Sequence, residues 1–184
     1  MATLAELINL LHSPENQQVL AALDELRRGG WLTDGTLNRN SLCNVHMEAA
    51  NLSEASLRKA DFHQARLQSS DLSGADLSES KLTRARLMGA NLAGANLGGA
   101  DMYKVNLTGA RNLTAAQLRR AKRLFGAILP DGSTYDGRYQ LNGDLEFAGW
   151  GQVDVNDAEA MAKFFGVSLE VYLEGQRTAD VEPI

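Results

Sequence analysis

The side chains best placed to do chemistry are basic. Arg66 and Arg86 lie 20 residues apart, as do Arg84 and Lys104, and His46 lies 20 before Arg66. In a chain that coils every 20 residues, such pairs stack in two adjacent outward columns. Those columns hold four positive charges and no acid. They form either a solvated edge or a small docking patch for an acidic partner. Other candidates are weaker. His46 and His63 have no carboxylate or thiol at ligand spacing, so no metal site is expected. Asp131, Asp136, Asp144 and Glu146 cluster in a loop-rich stretch and are expected to be solvated rather than cation-binding. Arg119, Arg120, Lys122 and Arg123 form a basic run, with internal pairing favoured over nucleic-acid binding. No Gly-rich phosphate loop, G-x-S-x-G or H-E-x-x-H is present. The expectation is therefore no enzyme, no catalytic residue and no cofactor.

What must position those residues is a repeat. From Leu37 to Leu107 a Leu, Met or Phe recurs at every fifth position, through fifteen units. Two residues before each stands a small side chain, as in Ala50, Ala55, Ala60, Ala65, Ser70, Ala75 and Ser80. A period of five is neither the 2 of a strand nor the 3.6 of a helix. It requires a chain that turns at every unit, and four units make one square coil. Stacked coils share one core that no single coil could bury. Leu42, Phe62, Leu82 and Met102 should form one interior ladder, and Leu52, Leu72 and Leu92 another. On the outside, Asp61 should face Lys81, and Lys59 should face Glu79.

The run ADFHQ, ARLQS, SDLSG, ADLSE, SKLTR, ARLMG, ANLAG, ANLGG, ADMYK resembles the pentapeptide-repeat family, whose consensus is A-(D/N)-L-x-x. The resemblance implies a mainly β fold, a right-handed quadrilateral β-helix solenoid of just under four coils. The flanks resemble those of bacterial members with helical caps. Some members mimic DNA and protect a type II topoisomerase. That activity is the alternative function here, and it requires a long acidic rod.

Charge argues against the alternative. The chain carries net -5 overall, but residues 31–112 carry +1, so the acidity lies in the flanks. Three segments are expected: an N-terminal helical cap (1–30), the repeat body (31–112), and a C-terminal cap (113–184) with short helices and a hairpin or small strand near 133–139. Ser13 followed by Pro14 reads as the start of the second N-terminal helix. Asp157 and Ser168 read as N-caps, and Gly166 and Gly175 as stops. Met161, Phe164, Phe165, Leu169, Tyr172 and Leu173 are too apolar for a free tail. They should cover the coil end or a second subunit, leaving monomer and homodimer both open. Residues 178–184 are expected to fray.

One cysteine, Cys43, gives no disulfide framework. No stretch approaches the ~18 apolar residues of a membrane span, and no signal peptide opens the chain, so a cytoplasmic location is expected. The function expected is a non-enzymatic structural or protein-interaction scaffold with a protein partner. No direct nucleic-acid binding is expected.

Overall fold

The computed structural model describes residues 2–179; of the expected fraying segment, residues 180–184 lie outside the described residues. Among the described residues, helices α1 (Leu4–Leu10), α2 (Asn16–Arg28), α4 (Asn142–Trp150), α5 (Ala158–Phe165) and α6 (Leu169–Thr178) flank a central stack of coils, which α3 (Ala115–Leu118) interrupts.

The expected fold class is corrected. Among the described residues there is no β-strand and no barrel, and every named element is a helix. A mainly β, right-handed quadrilateral β-helix solenoid is therefore not what the chain forms. Coils instead meet through isolated single-residue parallel bridges, such as Ser41 to Asp61, Asp61 to Lys81 and Lys81 to Asp101. The physical reason is the unit length. Each five-residue side spends two residues in a turn. Only the residue before the central apolar one forms a β-bridge with its counterparts 20 away. The pairing cannot lengthen into a strand before the chain turns again.

The backbone is nonetheless satisfied between coils. The Leu42 N–H donates to the Asp61 carbonyl at 2.7 Å, and the Asp61 N–H to the Asn40 carbonyl at 2.9 Å. The same pattern recurs up the stack. The inward positions are fully buried, among them Leu52, Phe62, Leu72, Leu82, Ala75 and Ala85. Burying each leucine stabilises by about 1.5–3 kcal/mol. Ser70 takes an alanine position by donating its hydroxyl to the Leu67 carbonyl at 2.8 Å. The buried Ser80 hydroxyl has no partner among the described residues.

One outward position is less free than its variability suggests. The second residue after each central one holds a left-handed φ, as at Gln64 (57°), Lys59 (61°) and Arg84 (58°). Left-handed φ disfavours non-glycine residues by about 1–2 kcal/mol. Gly74, Gly89, Gly94 and Gly99 occupy the same corner in other units.

The pairing runs past residue 112. Asp101 bridges to Arg123 and Asn106 to Ile128, an offset of 22 instead of 20. Helix α3 absorbs the two extra residues. Thr114 caps it, accepting from the Gln117 N–H at 3.3 Å, while Gln117 accepts from the Thr114 N–H at 2.9 Å. Leu124, Ala127 and Leu129 then continue the interior.

At the N-terminal end α1 and α2 pack together. Helix α2 begins at Asn16, after Glu15, rather than at Pro14. The Ser13 hydroxyl still helps, accepting from the Glu15 N–H at 3.1 Å. At the other end α5 and α6 pair. Asp157 and Ser168 cap them, and Gly166 closes α5 with φ 74°. Gly175 does not stop α6, which runs on to Thr178. It lies against Asp136 instead, so that a Cβ there would strike the Asp136 carboxylate. The expected hairpin is a single antiparallel bridge, Ile128 to Thr134.

Candidate anion-docking groove

Position 86 illustrates how the repeat builds an outward site. Ala85 and Leu87 point inward and are fully buried. Arg86 between them bridges to Arg66 below and Asn106 above, and its side chain is exposed. Two residues earlier the left-handed corner turns Arg84 outward beside it. Repeating this through three coils gives two adjoining columns, Asn44–Gln64–Arg84 and His46–Arg66–Arg86. These six residues line one groove of about 400 Å³.

The groove is predominantly positive. Arg66 faces Glu48 at 3.8 Å, its guanidinium to Oε1. Arg84 and Arg86 make no ion pair among the described residues. Stacked coils are ~4.8 Å apart. Arg66 and Arg86 rise from neighbouring coils of one column, and like charges so placed repel. A bound anion would relieve that repulsion. Three guanidinium forks and two amides can serve several oxygens at once.

The structure brings together Arg66, Arg84 and Arg86 but not Lys104. The Lys104 ammonium lies 5.2 Å from the Tyr103 ring centroid. Its stem packs over Gly126, where a Cβ would meet Lys104 Cγ at 2.9 Å. Asn44, Gln64 and His46 complete the groove in its place. The signal for Asn44 and Gln64 was their place 40 and 20 residues before Arg84.

The apolar C-terminal set divides. Met161, Phe165 and Tyr172 are buried in the core. Phe164 and Leu169 are partly buried against it. Leu173 is 41% exposed, as are Val171 at 47% and Trp150 at 77%. Phe164 and Phe165 join Phe125, which belongs to the resumed coil, with ring centroids at 4.4 and 5.7 Å. Phe165 also covers Gly137, whose Cβ would otherwise strike the ring. Phe164 and Phe165 thus bring α5 onto Phe125 of the resumed coil, and Tyr172 of α6 stacks on Phe165 at 6.4 Å.

The loop acids do not converge. Asp131 accepts from the Ser133 hydroxyl at 2.7 Å and from its N–H at 2.8 Å, which hold the carboxyl below the usual carboxylate range. Asp136 is buried and pairs with Arg138 at 3.0 Å. Asp144 is fully buried rather than solvated. Its Oδ1 accepts from the Leu124 and Phe125 N–H groups at 3.1 and 2.8 Å. Burial outweighs those bonds and pushes its carboxyl up to about 6. Burial also raises the Tyr135 hydroxyl. Within the basic run, Arg123 pairs with Asp101 at 2.6 Å and lies over the Tyr103 ring at 4.8 Å. The expected outer pairs form, Lys81 to Asp61 at 3.2 Å and Lys59 to Glu79 at 3.0 Å. Exposed pairs of this kind are worth about 0–1 kcal/mol. Among the described residues no group of three or more His, Cys, Asp or Glu could hold a metal ion. No helix among them is long and apolar enough to cross a membrane.

Residues 46–84, 70–109 and 85–122 match the family described as pentapeptide repeats. The match spans under half of the chain. No match was found among curated proteins. Among solved structures, the chain is similar to a pentapeptide repeat protein from the Arabidopsis thaliana thylakoid lumen. Identity is 28%, over 40% of this chain and 51% of that one, with a TM-score of 0.40. It is also similar to HetL, a pentapeptide repeat protein involved in heterocyst differentiation regulation in Nostoc sp. strain PCC 7120. There identity is 31% over 53% of this chain and 60% of HetL, with a TM-score of 0.29. The chain thus spans about half to three fifths of the length of these two proteins. At these TM-scores neither likeness carries an argument about fold or function. The family match supports the pentapeptide-repeat resemblance at the level of sequence, while the absence of strands among the described residues corrects the β-helix that the resemblance implied.

Proposed function

We propose that this chain is a non-enzymatic protein-interaction scaffold whose coil stack presents Arg66, Arg84 and Arg86 to an acidic partner. The observation that carries the reading is the groove itself. Three guanidiniums line one groove, and two of them lack an ion pair among the described residues. A solvated edge would need no such concentration. The repeat supports the reading physically, because outward residues vary without disturbing the buried ladder. The DNA-mimic alternative is not adopted, since a mimic needs an acidic face and this groove is basic.

Affinity capture from the native cell tests the proposal. The full chain and its Arg84→Glu/Arg86→Glu variant would be compared as baits. The expected result is a partner with an acidic surface that is retained by the wild type and lost by the variant. Equal recovery on both baits would overturn the assignment of the groove.

A further inference from the structure

We propose that the groove lined by Asn44, His46, Gln64, Arg66, Arg84 and Arg86 takes a phosphomonoester carried on a side chain of the partner protein. This inference rests on the scaffold reading and narrows it from an acidic partner to a phosphorylated one.

Charge counting carries the argument. Glu48 stands 3.8 Å from Arg66 and offsets part of its charge. Arg84 and Arg86 are left with two positive charges and no ion pair among the described residues. A carboxylate brings one negative charge and two oxygens, so one guanidinium would stay unmatched. A phosphomonoester brings about -1.5 to -2 and three acceptor oxygens. It matches both arginines at once and can also accept from the Asn44 or Gln64 amide lining the same groove. The guanidinium fork suits phosphate oxygens better than a point charge does.

The short extent of the unpaired charge suits one such group rather than a run of them. The groove holds about 400 Å³ and spans three coils. Above it Lys104 turns away onto Tyr103. Beside it Glu48 carries a negative charge. A nucleic-acid backbone needs a longer basic track, and the chain as a whole is acidic at net -5.

The test uses nuclear magnetic resonance of the full chain, following the arginine Nε–H signals. Three blocked tripeptides serve as probes: Gly-Ser-Gly, Gly-Glu-Gly and Gly-phosphoserine-Gly, with inorganic phosphate and a duplex DNA of about two helical turns alongside. The Arg84 and Arg86 signals should shift with the phosphoserine peptide. Its affinity should exceed that of the glutamate peptide at least about 10-fold, and the serine peptide should leave the signals unmoved. Arg84→Gln/Arg86→Gln should lower that affinity at least about 10-fold, whereas Lys81→Gln, on another face, should change it less than about 2-fold. Inorganic phosphate should compete at the same two signals, which locates the recognition in the phosphoryl group. Equal affinity for the glutamate and phosphoserine peptides would overturn the phosphate assignment and leave general acidic docking standing. Shifts confined to other arginines, or no shift with any peptide, would overturn it as well. So would duplex DNA binding more tightly than the phosphoserine peptide. Partner capture by the arginine bait decides the scaffold reading separately.

Discussion

Replacing Asp144 by Asn should change how stability depends on pH. Asp144 is fully buried and its carboxyl is pushed from 3.8 up to about 6. Two effects oppose each other there. Burial disfavours the charged form, and the N–H groups of Leu124 and Phe125 favour it. Burial wins. Between the unfolded and folded values the native state binds more protons than the unfolded one, so this group's contribution to stability falls as pH rises from about 4 to about 6. A shift of about two units amounts to roughly 3 kcal/mol in full. Between about pH 4.5 and about pH 7.5 roughly 2 kcal/mol of it should be visible. Oδ1 accepts from both N–H groups and Oδ2 shares the Leu124 N–H at 3.2 Å, so a proton on Oδ2 gives up only that longer branch. The Asp144→Asn variant keeps an acceptor but cannot titrate. Urea unfolding of both proteins at those two pH values measures the difference. Asp61, Asp71 and Asp131 have lowered values and impose the opposite slope, but they are common to both proteins and cancel. The stability of wild type relative to Asp144→Asn should drop by roughly 2 kcal/mol on raising the pH. A difference that is flat within about 0.5 kcal/mol would refute the reasoning by showing that the backbone bonds balance burial, and one that rises with pH by showing that they outweigh it.

Three further outcomes follow from the packing. Leu72→Ala leaves a hole in a fully buried ladder and should cost about 2–5 kcal/mol by chemical denaturation, whereas a loss under about 1 kcal/mol would mean that neighbouring coils collapse to fill it. Gly175→Ala should destabilise by about 1–3 kcal/mol, because its methyl meets the buried Asp136 carboxylate. Helix propensity alone predicts a gain of about 1 kcal/mol, so a raised melting temperature would contradict the docking of α6. Lys81→Ala removes an exposed pair with Asp61 and should change stability by less than about 1 kcal/mol, a larger loss pointing to a packing role for its stem.

Much of the site was legible because the five-residue period assigns each side chain to an inner or outer column. Leu52, Phe62 and Leu72 are buried where the count puts them. Arg66, Arg84 and Arg86 meet for the same reason. The caps at Asp157 and Ser168 were legible from local chemistry. What was not legible depended on events outside the count. The two residues absorbed by α3 disguised the resumed units, so Arg123 read as part of a basic run rather than as a bridging residue. Gly126, Ala127 and the five-residue gap from Leu124 to Leu129 were the available signal. Lys104 left the groove because Tyr103 and Gly126 lie beside it, a contact made only when that coil forms. Asp144 looked like a loop acid, because nothing in its neighbours announces that it must satisfy two distant N–H groups. The fold class failed on a finer point. The period fixes coils and turns, but a turn every five residues leaves single-residue bridges rather than strands.

Arginine-selective labelling with p-hydroxyphenylglyoxal, with and without the captured partner, tests the docking claim most directly. The account predicts that Arg84 and Arg86 react readily in the free chain and are shielded in the complex, while the exposed Arg177 reacts equally in both. Unchanged reactivity of Arg84 and Arg86 in a saturated complex would contradict it.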